Sequence, residues 1–196
     1  LKDSCKETCS MFRNLGTLSY MLTLAVYEQI QDIAFHRKYN NFKSQNKNTE
    51  ISNRYGLSLA YKKNKDFEKS FGILRQLIKE IPNNLVLESS LMELHLAAGN
   101  YFEAISLGKN ILEIHENNYS ASMLLADAYI ENEQSEKAEK LLRFLAKDRQ
   151  TDPNVWFKLA EAQGLSGNIL ELHRSRAEFF ILTGRHDAAV FQLKEA

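Results

Sequence analysis

Trp156-Phe157-Lys158-Leu159-Ala160-Glu161-Ala162-Gln163 is the fullest statement of a pattern that occurs four times in this chain. Moving 34 residues at a time toward the N-terminus, Leu159 falls on Leu125, Leu91 and Leu57, while Gln163 falls on Tyr129, His95 and Tyr61. The residue after the Leu is small at Ser58, Ala126 and Ala160, with Met92 the exception. A second small position follows at Ser70, Ala104 and Ala138, and Leu172 departs from it. Between the two lies a turn, at Lys65-Asp66, Gly99-Asn100, Glu133-Gln134 and Gly167-Asn168, where Gly takes the left-handed backbone that ends a helix. A repeat of this length, with apolar residues at helical spacing on both sides of a turn, spells a pair of helices copied in series.

The copies resemble the tetratricopeptide repeat (TPR), whose signature reads W-x2-L-G-x2-Y, then A-x3-F, then P. Pro82 closes the first clear unit on phase. Neither helix of such a pair can bury its apolar stripe alone. Small residues let the two helices approach closely, large ones fill the gap to the next pair, and about three or more units are needed for stability. The resemblance implies an all-α fold, a TPR-type α-solenoid of about five stacked helical hairpins.

Composition agrees. Two prolines and eight glycines in 196 residues favour helix over a sandwich or barrel, and 44% hydrophobic residues supply a sizeable interior. No stretch approaches the roughly 18 to 20 apolar residues a membrane span needs, so the expectation is a soluble chain. Lys plus Arg and Asp plus Glu both number 25, and the basic residues are scattered instead of gathered into a stripe, which disfavours nucleic acid as a partner. Leu1 stands where a natural start has Met, and no charged region leads into an apolar one as in an export signal. The chain is expected to be a piece of a larger protein.

In order, residues 1–16 form a polar lead-in. Cys5 and Cys9 within it lack a His, Asp or third Cys at ligand spacing, so zinc is not expected there, and their redox state is open. Residues 17–48 read as a degenerate hairpin, the atypical end unit of an array, with Asn48 or Thr49 capping the next helix. Repeats follow at 51–84, 85–118, 119–152 and 153–183, the last opened by Asp152-Pro153 as N-cap and first-turn imino acid. A further end helix begins at about 185 and is cut off at Ala196. The whole of 17–196 is read as one TPR domain.

No catalytic constellation is present. His36, His95, His115, His173 and His186 are far apart and none lies in H-E-x-x-H, there is no G-x-S-x-G or phosphate loop, and Gly164, Gly167 and Gly184 are spaced for turns. His95 takes the place that elsewhere holds Tyr, which predicts a packed core histidine. No cofactor or metal is expected in this chain, and no catalytic residue. What remains is a surface. In a TPR stack the first helices line the concave side, and the groove places here are Tyr55, Leu59, Lys62 and Lys63; Ser89, Glu93, Leu96 and Ala97; Met123, Asp127, Ile130 and Glu131; and Phe157, Glu161 and Leu165. Glu93, Asp127 and Glu161 hold the same place in consecutive units. Such a column flanked by apolar side chains suits a protein or peptide segment carrying basic and apolar residues, although charges on a helix face are also ordinary solvated residues. The TPR mode that clamps chaperone C-terminal carboxylates uses Lys, Asn and Arg where this sequence has Tyr55, Leu59, Ser90, Ser120 and Leu124, so that ligand is disfavoured.

The run WFKLAEAQGLSGNILELHRSRAEFFILTGRHDAAVFQLKEA, Trp156 to Ala196, resembles the C-terminal repeats of BepA-type periplasmic zinc metalloproteases. Arg176-Ala177-Glu178, Phe180 and Gly184-Arg185 fit the family's order, and Arg54-Tyr55-Gly56-Leu57-Ser58-Leu59-Ala60 is similar to the opening of its repeats. That likeness implies an H-E-x-x-H domain, with its zinc, preceding the repeats in the parent protein. It also implies a periplasmic location, and outer-membrane assembly machinery or its clients as partners. The alternative is a TPR adaptor or scaffold with no peptidase attached, which would be cytoplasmic. Self-assembly through the end helices is a third reading.

Overall fold

The computed structural model describes residues 47–196. The expected lead-in with Cys5 and Cys9, His36, and nearly all of the hairpin expected over 17–48 lie outside them. Every regular element among the described residues is helical: α1 Lys47–Lys63, α2 Phe67–Glu80, α3 Leu85–Ala97, α4 Tyr101–Ile114, α5 Tyr119–Glu131, α6 Ser135–Asp148, α7 Pro153–Leu165, α8 Ile169–Leu182 and α9 His186–Glu195. The chain divides into two compact units, Leu1–Leu87 and Glu88–Ala196.

Helix ends follow the repeat. Lys65, Gly99, Glu133 and Gly167, each 34 residues from the next, all have positive φ, at 62°, 76°, 57° and 78°. The amide after each turns back to the carbonyl of Tyr61, His95, Tyr129 or Gln163 at 2.8–2.9 Å, closing the helix with the six-to-one bond of a Schellman motif. Gly184, at φ 72°, repeats the device at the end of α8, with Arg185 N–H donating to Phe180 at 2.8 Å. At the other ends, Asp152 accepts from the Asn154 amide at 2.9 Å with Pro153 in the first turn, and Asn118 accepts from the Ala121 amide at 2.9 Å. Two expectations need correction. α1 already includes Lys47, so Asn48 and Thr49 are inside it and do not cap it; no Pro interrupts Lys47–Lys63, Gly56 is accommodated within it, and Glu50 in the first turn favours the extra length. Gly164 is not a turn residue but lies within α7.

In the first unit α1 packs on α2. Leu57, Tyr61, Phe71, Leu74 and Leu77 are buried, Ser70 donates to the Ser58 carbonyl at 2.7 Å, and Arg54 grips Glu80 through both carboxylate oxygens at 2.7 and 2.8 Å. In the second unit α4 packs on α5, α5 on α6, α6 on α7, α7 on α8 and α8 on α9, while α5 also touches α7. Helix-to-neighbour stacking of this kind leaves no single central core. Its small contacts are Ala104, Ala126, Ala138 and Ala160, each at most 3% exposed. Met92, the exception among them, is fully buried because α4 supplies Gly108 opposite: a Cβ there would lie 2.5 Å from Met92 Cε and 3.2 Å from Leu125 Cδ1. His95 is buried at 8% exposure, whereas His115 and His186 are exposed.

Candidate functional site

The places shared by successive first helices put Met123 and Asp127 on α5 beside Phe157 and Glu161 on α7, and these two helices touch. Met123, Phe157 and Glu161 line two clefts of the second unit, and Asp127 lines neither. The first, about 420 Å³, lies among Glu93, Tyr119, Ser120, Met123, Leu124, Asn154, Phe157 and Lys158. The second, about 390 Å³, lies between α7 and α8, walled by Phe157, Leu165, Leu172, Phe179 and Phe180, floored by Ala160 and Gly164, with Glu161 and Arg176 as its charged lining. Phe157, 55% exposed, lines both.

Lys158 changes the electrostatics expected of this face. Its Nζ lies 2.7 Å from Asp127 Oδ1 and 3.0 Å from Glu161 Oε2. Burial acts to lower the Lys158 pKa, but hydrogen bonds and attraction from the two carboxylates outweigh it and the net shift is upward. The structure does bring Asp127 and Glu161 together, but with a cation between them, so a ligand lysine arriving there must displace Lys158. The repeat phase could not show this, since Lys158 is not a groove place; its spacing of three from Glu161 was the available signal. At the edge of the first cleft, burial first and then the Asp152 carboxylate raise the Tyr119 hydroxyl above the usual phenol range, and Arg149 stacks on its ring at 5.4 Å.

The second cleft is aromatic. Phe157 and Phe179 meet at 5.4 Å between centroids, Phe179 and Phe180 at 5.4 Å, all tilted, and the Arg185 guanidinium stands 4.7 Å from the Phe180 ring. Arg176, Phe179 and Phe180 come from α8, a second helix, and were missed because groove places were taken from first helices only.

The remaining expected places join neither cleft. Ser89, Leu96 and Ile130 are half-buried on α3 and α5, and Glu131 accepts from the Tyr101 hydroxyl at 3.4 Å. Tyr55, Leu59 and Lys62 belong to the first unit, half-buried on α1, with Lys63 exposed. Among the described residues no three His, Cys, Asp or Glu side chains are grouped as a metal site requires, and no helix is long and apolar enough to cross a membrane.

The tetratricopeptide repeat family model matches residues 95–163, which cover most of α4 to α7 and both turns between paired helices in that stretch. These hairpins are tetratricopeptide repeats. The structure of nearly identical TPR-like repeats from a Podospora anserina kinesin light chain has the same fold, with a TM-score of 0.65 at 17% identity, covering 94% of this chain and 95% of that one. MamA from Desulfovibrio magneticus RS-1 is similar too, with a TM-score of 0.63 at 14% identity, covering 87% of this chain and 94% of that one. The fold is accordingly a TPR-type α-solenoid, and the matched repeats make this a TPR protein-interaction module. In sequence, the chain is similar to the beta-barrel assembly-enhancing protease of Yersinia pestis, at 24% identity over 147 residues, 75% of this chain and 30% of that protein. It is also similar to the protease of the same name from Escherichia coli K12, at 27% over 143 residues, 73% and 29%. The chain thus spans less than a third of the length of these relatives.

Proposed function

We propose that this TPR region is the non-catalytic docking part of a periplasmic zinc metalloprotease of the beta-barrel assembly-enhancing kind. It holds a client or an assembly partner of the outer membrane along the face formed by α5, α7 and α8 while a separate catalytic region cuts. The observation that carries the reading is the similarity to two such proteases across about three quarters of the chain. The face itself supports docking, since Phe157 and Leu165 stand 55% and 60% exposed over two clefts that share a wall. Zinc belongs, on this reading, to the catalytic region and to no residue of this chain.

Two measurements test it. The open reading frame upstream of Leu1 is expected to contain an export signal followed by H-E-x-x-H; their absence would leave an adaptor without a peptidase. Benzoylphenylalanine placed at Met123 or Phe157 of the full protein is expected to cross-link a protein partner in cells, and the same probe at Phe144, exposed on α6 but lining neither cleft, is not. Cross-links from Phe144 alone, or from none of the three, would overturn docking on this face.

A further inference from the structure

The last full hairpin breaks the repeat at three places, and all three line the cleft between α7 and α8. Leu172 takes the phase of Ser70, Ala104 and Ala138, so a bulky side chain stands where close helix contact is usual. Gly164 takes the phase of Lys62, Leu96 and Ile130, which removes the side chain that would otherwise project from this part of a first helix. Arg176 takes the phase of Leu74 and Leu142, which are 1% and 0% exposed, and it is itself exposed. The result is a cleft of about 390 Å³, with room for a large side chain over Gly164, beside the contacting rings of Phe157 and Phe179.

Its charge is not balanced internally. Glu161, the other charged lining residue, is held by Lys158 at 3.0 Å. Arg176 makes no ion pair with any described residue: the carboxylates of neighbouring Glu171 go to Arg174 at 2.9 Å and Arg143 at 3.3 Å. Arg185, on the Phe180 ring, adds a second positive group at the cleft's edge. A guanidinium beside aromatic walls, here an exposed Phe157 with half-buried Phe179 and Phe180, pairs best with a carboxylate, through two parallel N–H···O bonds, while the walls take up an aromatic or large aliphatic side chain.

Resting on the docking reading above, we propose that this cleft binds a protein segment in which an aromatic residue is flanked by Asp or Glu, the ring lying over Gly164 against the Phe157–Phe179 pair and the carboxylate pairing with Arg176. The segment is internal to its chain and not a C-terminus. Phe157 is shared with the neighbouring cleft on α5, so the bound chain runs on past it. This selectivity is opposite to what a row of unpaired groove carboxylates would give.

The probe is a fluorescein-labelled decapeptide, GSSEFELSSG, acetylated and amidated, compared by anisotropy with GSSKFKLSSG, GSSESELSSG and a form ending in a free carboxylate directly after Phe. The 196-residue chain is expected to bind the first at least tenfold more tightly than the lysine and serine versions. Arg176→Glu, at an exposed site, is expected to lose tenfold for the acidic peptide and to gain for the lysine peptide. Gly164→Leu, whose Cβ meets Leu172 Cδ1 at an ordinary 3.5 Å, is expected to block both with helicity retained. Binding of neither peptide, preference for the lysine peptide by the unmutated chain, indifference to Arg176→Glu, or tightest binding of the free-carboxylate form would each overturn the proposal. If the partner cross-linked from Phe157 is captured equally by Arg176→Glu and Gly164→Leu, the inference falls while docking stands; if nothing is captured by the unmutated protein, docking itself falls.

Discussion

Met92 and Gly108 offer the sharpest test of how these repeats are packed. In the other intact units the same two phases hold a small residue on the first helix and a buried Leu on the second, Ser58 with Leu74 and Ala126 with Leu142; here the large and small residues have changed sides. Met92→Ala alone empties a fully buried site and is expected to cost about 2–5 kcal/mol. Gly108→Leu alone gains up to about 1 kcal/mol of helix propensity. It also forces a side chain into a position where even a Cβ meets Met92 Cε at 2.5 Å and Leu125 Cδ1 at 3.2 Å, an overpacking cost of about 1–3 kcal/mol. The double variant restores the pattern of the neighbouring repeats at nearly conserved volume, so its loss should stay within about 1.5 kcal/mol. With single losses near the middle of these ranges, about 3.5 and 1 kcal/mol, and a double loss of about 1 kcal/mol, the coupling is about 3–4 kcal/mol in favour of the pair. Urea denaturation followed by far-UV circular dichroism, with equal slopes across the four proteins, measures it. Losses that add to within about 0.5 kcal/mol would refute the compensated-pair argument.

Lys65 and Glu133 hold a left-handed backbone that costs a side chain about 1–2 kcal/mol, so Lys65→Gly and Glu133→Gly should each stabilise by about 0.5–1 kcal/mol, seen as a raised urea midpoint. Glu139 accepts from Ser166 at 2.6 Å, Asn168 at 3.0 Å and Arg143 at 2.9 Å; burial opposes its charge, yet these bonds prevail and hold its pKa below the usual carboxylate value. Its contribution is present above the unfolded pKa and lost as pH falls through the folded one, so Glu139→Gln should cost about 1–3 kcal/mol near neutrality and the gap from the unmutated chain should close on acidification, as read from urea midpoints at successive pH values. Lys158→Gln removes two partly exposed ion pairs and should change stability by no more than about 1 kcal/mol. It should raise affinity for the lysine decapeptide in a salt-sensitive way, measured by anisotropy.

Most of the fold was legible because phase is a one-dimensional property. Leu57, Leu91, Leu125 and Leu159 share a place in the sequence and hence a place on a helix, and the turns came with them, including two where Lys65 and Glu133 do what Gly99 and Gly167 do more easily. Phase also put Asp127 and Glu161 on one side. It could not show which cation they share, because a lysine's reach depends on rotamers and on the approach of α5 to α7. Nor did it reveal the cleft between α7 and α8, since a missing side chain at Gly164 is visible only as space once α8 is in position.

Two departures from the repeat, at Met92 and in the last hairpin, have opposite outcomes, and the difference separates packing from function. At Met92 the excess volume is answered by Gly108, both residues are buried, and nothing is left over for a ligand to read. At the last hairpin, the bulk added by Leu172 is not answered in kind. Gly164 withdraws volume on the groove side and Arg176 replaces a buried Leu with an exposed cation, so the interface between α7 and α8 opens toward solvent instead of closing. An exposed Phe157, and an Arg176 with no ion-pair partner among the described residues, cost the folded chain packing that a Leu at 176 would have recovered. A departure that the fold itself does not compensate is where binding is to be sought, and in the described chain Phe157 and Arg176 mark it.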